Sequence, residues 1–254
     1  MPVSSMKFAR SSRPKLIAAT FRGTMAPAAK AAVKICAAVP FAMTASLSPA
    51  AAAPAWPASF EARLEVLALI ETLNANLLAS RSATETLTEW CAAHHMAETP
   101  KLVAHLQRDV AKPISPEQRR ALDIGPDEPV VYRRVDLACG SHVLSRADNW
   151  YVPSRLTPAM NAALVSSEVP FGRVVHPLSP RRETLSVKML WQALPEGWEM
   201  RPRAADHPAQ SLVIPTLLFE HRAVVYAGNG QPISEVDESY TAEILDFHPG
   251  RGAD

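Results

Sequence analysis

Two arginines stand side by side in the segment VVYRRVDLAC, at Arg133 and Arg134. In an extended strand their side chains point to opposite faces, so one of the two enters the interior. An inward guanidinium needs an anion, either a protein carboxylate or the carboxylate of a ligand. The acid-dense segment is ISEVDESY, where Glu238 and Tyr240 share a face with Ser234 and Val236, while Glu235 and Asp237 share the other. An inward arginine and an inward glutamate on adjacent strands make either a structural ion pair or the two poles of a site for a small anionic ligand. A second group, Cys91, His94 and His95, falls at i, i+3 and i+4 and could ligate a metal. No second ligand pair with zinc spacing accompanies it, and a partly buried helix end explains the same residues.

Other chemistry is missing from the sequence. It has no GxxxxGK[ST] phosphate loop, no GxGxxG after a strand and no GxSxG nucleophile elbow. Cofactor-free catalysis or simple ligand binding is left. Lysine and arginine number 26 against 25 acids, a net charge of +1, which gives no basic surface for nucleic acid.

The elements that must position these residues follow from periodicity and caps. Apolar residues at helical spacing predict a helix over Phe60–Ala79, and Ser82 with Glu85 forms a capping-box signature opening a second helix to about His94. KLVAHLQRDV reads as a strand, and Ser115-Pro116 opens a short helix. EPVVYRRVDLAC and HVLSRADNWYVP flank Gly140-Ser141 as a hairpin. Thr157 caps a helix in TPAMNAALVSS, and RETLSVKMLWQAL is a further strand. Asn229-Gly230 turns a second hairpin, and PFGRVV reads as a turn and helix start. Helices gathered early and hairpins later predict an α+β fold, a mostly antiparallel sheet with helices packed on one side.

The charge is unevenly spread. Residues 1–53 carry seven basic side chains and no acid, leaving nineteen basic against twenty-five acidic in the remainder, a net of −6. Lys30 and Lys34, the apolar run from Ile35 to Leu47 and the small residues Ala50 to Ala53 make the three parts of a secretory signal, with cleavage expected after Ala52 and a translation start at Met25. The expectation is an exported, periplasmic protein of residues 54–254 in one domain, with no stable membrane span after cleavage. A retained signal anchor is the alternative. Cys36 leaves with the leader, and Cys91 and Cys139 either pair in an oxidising compartment or stay as isolated buried thiols.

Five segments, VVYRRVDLAC, ADNWYVP, EVPFGRVV, EHRAVVYAGNGQP and DESY, stand in an order and spacing that resembles chorismate pyruvate-lyase, over roughly Asn74 to Leu245. The resemblance implies an antiparallel sheet with helices on one side, a fold shared with the ligand-binding domain of GntR-type regulators. It implies loss of pyruvate from chorismate, or a related cyclic carboxylate, to give 4-hydroxybenzoate, with no metal or organic cofactor. The carboxylate-binding arginine then falls on Arg134 and the glutamate facing the ring hydroxyl on Glu238. Two backbone amides that close the pocket fall on Phe171 and Ala83. The family's further basic residue, four positions before Pro153, is replaced by Asn149, and Arg146 lies in a different register. The interval from Pro232 to Glu238 is one residue longer than the family pattern, which keeps Glu235 as an alternative to Glu238.

An exported protein would seldom meet cytoplasmic chorismate. A periplasmic module that binds a small aromatic acid without turnover is therefore the second reading. A DNA-binding regulator would need a winged-helix module where the Ala-rich leader stands.

Overall fold

Ser59 starts the helical layer. Its hydroxyl accepts the Ala62 N–H at 3.2 Å, and Ala62, Val66, Ile70, Leu73 and Leu77 follow as a single buried stripe at three- and four-residue spacing. The structure is a computed structural model that describes residues 56–203 and 205–247. The expected signal peptide, with Met25, Cys36 and the cleavage point after Ala52, lies outside the described residues.

In chain order a two-residue strand β1 (Pro57–Ala58) precedes α1 (Phe60–Ala79) and α2 (Ala83–Ala93). Then come β2 (Leu102–Gln107), the short α3 (Pro116–Ala121), β3 (Val131–Cys139) and β4 (His142–Tyr151). Two helices follow, α4 (Pro158–Ser166) and α5 (Phe171–Val174). The last strands are β5 (Arg181–Met189), β6 (His207–Ser211), β7 (Leu217–Tyr226) and β8 (Pro232–Thr241). Six strands form one antiparallel sheet in the order β2-β3-β4-β8-β7-β5, and β1 pairs with β6 apart from it. The fold is α+β, as the element pattern predicts.

The two hairpins form at the expected turns, with Gly140 at φ +57° and Gly230 at φ +83°, conformations that suit glycine. Caps differ in detail. Ser82 accepts the Glu85 N–H, but its own N–H goes to the Ser80 hydroxyl at 3.1 Å, so the box is half made. The complete capping box is at Ser115, which exchanges bonds with Gln118 in both directions. The strand expected over RETLSVKMLWQAL stops at Met189, where the Leu190 and Trp191 N–H groups both turn onto the Leu218 carbonyl.

The main core lies between α1, α2 and the sheet, with Val66, Leu73, Leu87, Leu144, Phe219 and Tyr240 all buried. A second cluster under α4 and α5 gathers Tyr151, Leu164, Val175 and Ile233. Cys91 of α2 and Cys139 of β3 form a disulfide, with Cα atoms 6.3 Å apart. That removes Cys91 from any metal set. His94 lies between the rings of Trp90 and Phe247, at 4.0 and 4.3 Å. No helix among the described residues is long and apolar enough to cross a membrane.

Candidate functional site

Strand register decides which charges face inward. Arg133 pairs across β3 and β4 with Asn149, and Asn149 pairs with Val236 of β8. Two residues on, Val135, Ala147, Glu238 and His221 form the next row of the same face. Arg182 of β5 pairs with Val225, which pairs with Ser234, so it shares that face too. Arg133, Asn149, Arg182 and Glu238 all line one inner cavity, walled by apolar residues such as Val135, Ala147 and Val236.

Two flaps close it. Ser82, Ala83 and Thr84 open α2, and Phe171 and Gly172 open α5. They meet at Gly172, where a Cβ would lie 2.9 Å from Thr84 Oγ1 and 3.2 Å from Ser82 Oγ. The cavity measures about 60 Å³, below the roughly 300–1,000 Å³ of ordinary ligand clefts. Outside the flaps lies a cleft of about 780 Å³ that shares Ser82, Thr84, Gly172 and Pro180 with the cavity. Parting the flaps would join the two.

The electrostatics of the cavity are unbalanced. Arg133 is 5% exposed. It donates from Nε to the Leu164 carbonyl at 3.0 Å and from Nη2 to the Val169 carbonyl at 3.1 Å. Among the described residues no carboxylate forms an ion pair with it. Burial lowers its pKa to about 10, so it is still a cation at neutral pH.

Arg182, by contrast, is paired. Its Nη2 donates to Glu238 Oε2 at 2.6 Å and its Nη1 to Thr184 Oγ1 at 2.6 Å. Burial alone would lower the guanidinium, but Glu238 and Tyr240 outweigh it and hold the pKa above its ordinary value. The Tyr240 hydroxyl donates to the same Glu238 Oε2 at 3.1 Å. Arg182 Nε is buried with no partner among the described residues. His221 lies 3.4 Å from Arg182 through Nδ1 and 2.8 Å from Asn74 Oδ1 through Nε2. Burial and the Arg182 charge push His221 down to about 4, so the imidazole is neutral. It donates Nε2–H to Asn74 and turns Nδ1 toward Arg182.

The structure places the sequence candidates on two faces. Glu238, Asn149, Ala83 and Phe171 line the cavity, and Asn149 Oδ1 accepts the Ser234 hydroxyl at 2.9 Å. Ala83 and Phe171 are the first helical residues of α2 and α5, whose N–H groups have no intrahelical acceptor. Arg134 does not join them. It points to the opposite face and pairs with Asp148 at 3.6 Å, while Asp148 also holds Lys112 and the Tyr132 hydroxyl. The inward arginine is Arg133, because its cross-strand partner Asn149 shares the cavity face; the motif leaves a one-residue choice that register makes. Glu235 is fully buried, yet on the far face beside α3, bonded to Arg222 at 2.6 Å. Arg222 bridges onward to Glu117 of α3 at 2.7 Å.

Arg182, Asn74 and His221 were not legible as site residues. The available signal was the doublet Arg181-Arg182 opening a strand, to which the face argument used for Arg133 and Arg134 applies equally.

No family model matches the chain. "Uncharacterized protein y4mC" of Sinorhizobium fredii is 47% identical over 193 residues, which cover 76% of this chain and 81% of that protein. Among solved structures, the possible transcriptional regulator YydK of Bacillus subtilis is 19% identical with a TM-score of 0.35, over 58% of this chain and 61% of that one. The chain thus spans less than two thirds of YydK. The effector domain of PhnF from Mycobacterium smegmatis is 14% identical with a TM-score of 0.42, over 64% of this chain and 89% of that one. A GntR-family regulator from Enterococcus faecalis is 17% identical with a TM-score of 0.34, over 54% of this chain and 91% of that one.

Proposed function

We propose that this chain, which belongs to one family with the protein y4mC of Sinorhizobium fredii, binds a small monoanionic ring carboxylate in the cavity beneath the α2 and α5 flaps. The observation that carries this is Arg133, a buried guanidinium with no carboxylate partner among the described residues, set in the cavity wall. Isolated buried charges are costly unless something compensates them. Two guanidinium groups, one carboxylate and a neutral imidazole leave the cavity region one positive charge in excess. A bound monocarboxylate would neutralise it, anchored by Arg133, with the Asn149 amide beside it. The apolar walls suit a ring, and the flaps would open to the outer cleft to admit it.

Turnover is the second reading, favoured by Glu238 in the cavity wall. In it chorismate binds as the resemblance implies, one ring C–O bond breaks, one ring proton leaves, and pyruvate and 4-hydroxybenzoate form. Chorismate carries two carboxylates, however, and the position that is basic in the family is Asn149 here. The charge count therefore favours a monoanion held without turnover. Export is part of the proposal, supported by the Cys91–Cys139 disulfide, a bond that persists in oxidising compartments.

Calorimetric titration of the folded protein with 4-hydroxybenzoate tests binding, and ultraviolet absorbance after adding chorismate tests turnover. The expected result is saturable binding of 4-hydroxybenzoate and no release of it from chorismate. Absence of binding by well-folded protein would refute the carboxylate site, and steady product formation would establish the second reading.

A further inference from the structure

We propose that His142, Glu243 and Asp246 form a site for one divalent transition-metal ion of the zinc class, at the hairpin end of β4. It is independent of the carboxylate site. His142 opens β4 directly after the Gly140-Ser141 turn. Glu243 lies in the helical turn Ala242–Leu245 that follows β8, and Asp246 is the next residue. One ligand atom from each of the three lies within 4.8 Å of the other two. Five residues of β4 separate His142 from Ala147 in the cavity wall, roughly 17 Å of strand.

The spacing inside the group suits an ion better than a hydrogen bond. His142 Nδ1 lies 3.8 Å from Asp246 Oδ2, beyond the roughly 3.2 Å reach of an N–H···O bond. Two ligands of a tetrahedral zinc, each about 2.1 Å from the metal, stand roughly 3.4 Å apart. A small closing movement therefore seats the pair on one ion. The third ligand is already held in place. Glu243 Oε2 accepts the Val143 N–H at 2.6 Å. The Thr241 hydroxyl accepts the Glu243 N–H at 3.1 Å and donates to the Val143 carbonyl. Outer bonds of this kind orient a metal-binding carboxylate. The hairpin is fixed on its other side by the Cys91–Cys139 disulfide and at Gly140, where a Cβ would lie 3.0 Å from Ala97 Cβ.

The donor set selects the metal. One imidazole nitrogen with two carboxylate oxygens suits zinc and its transition-metal neighbours, whereas calcium and magnesium take oxygen ligands. The His142 and Asp246 side chains are 25% and 35% exposed, so an ion can enter and water can complete its shell. Bound there, it clasps the turn after β8 to the β3–β4 hairpin. The Cys91, His94 and His95 set suggested by sequence spacing supplies none of these ligands.

Calorimetric titration of the untagged full chain, freed of metal by a chelator, with Zn²⁺ and with Ca²⁺ is the test. We expect one Zn²⁺ per chain, at least tenfold tighter than Ca²⁺. Zinc at about one hundred times its Kd should raise the thermal midpoint by roughly 5 °C. His142→Gln and Asp246→Asn, on two different elements, should each weaken Zn²⁺ at least tenfold and leave the metal-free midpoint within about 2 °C of the wild type. His105→Gln, at a histidine paired elsewhere with Glu168, should change nothing. A measurement without variants is line broadening by Co²⁺ in the nuclear magnetic resonance spectrum, expected to centre on the amides of Val143 and Glu243. No Zn²⁺ binding by well-folded protein would overturn the proposal. Zn²⁺ affinity that survives both substitutions, or broadening centred elsewhere, would place the ion on other side chains and overturn it. Ca²⁺ binding as tight as Zn²⁺ and unchanged in His142→Gln would leave only an acidic pair and overturn it as well.

Discussion

Arg133 carries a buried charge with no carboxylate partner among the described residues. Two backbone carbonyls are its partners, and removing a buried uncompensated charge relieves a desolvation cost that offsets the loss of those two bonds. Arg133→Met should therefore leave the thermal midpoint of the ligand-free protein unchanged or higher, while lowering 4-hydroxybenzoate affinity at least tenfold. A residue serving only structure would show the reverse. His221 makes the complementary prediction. Its folded pKa is lowered to about 4 from an ordinary value near 6.5. The stability it supports is present above pH 6.5 and is lost as pH falls through the window down to 4, because the unfolded chain takes up the proton first. The loss amounts to about 3 kcal/mol. Denaturant titrations at pH 7 and pH 5 should show the fall in the wild type and a smaller one in His221→Gln. Equal falls in both would place the acid sensitivity elsewhere.

At the scale of elements, the flaps and the disulfide set access to the site. Gly172 lets the start of α5 come against Ser82 and Thr84. Gly172→Val should hold the flaps apart, raise the dissociation rate of 4-hydroxybenzoate several-fold and cost about 1–2 kcal/mol of stability, within the usual range for overpacking. Stopped-flow release measures the first effect and denaturant titration the second. The Cys91–Cys139 bond closes a span of 48 residues between α2 and β3. By chain entropy it is worth roughly 4 kcal/mol, so reduction should lower the midpoint by on the order of 10 °C. Helices α1, α2 and α4 and both hairpins were legible because caps, turn residues and apolar spacing are local signals. The cavity was less so. The choice between Arg133 and Arg134 depends on register with Asn149, and that between Glu238 and Glu235 on register with Ala147. Arg182 belongs to the site through a side chain reaching across β7 to β8, which no local pattern encodes. The end of β5 at Met189 likewise depends on the Leu218 carbonyl, brought there by another strand.

For the whole molecule, the charge divides between a basic stretch of residues 1–53 and an acidic remainder of net −6. A domain of that sign gives anions no general attraction, so affinity must come from the enclosed arginines, where salt screens little. Binding of 4-hydroxybenzoate should accordingly change less than about threefold between 50 and 300 mM salt. Export, proposed from the leader and the disulfide, predicts a mature N-terminus at Ala53 in the periplasmic fraction, read by mass spectrometry. An uncut chain in the cytoplasm would contradict it and restore the setting in which chorismate is met. Arg133 as the anchor of a ring carboxylate is tested most directly by calorimetric titration of 4-hydroxybenzoate into wild-type protein and Arg133→Met. Saturable one-to-one binding is expected, weakened at least tenfold by the substitution in a protein that remains folded. Equal affinity in both, or no binding to the wild type, would contradict it.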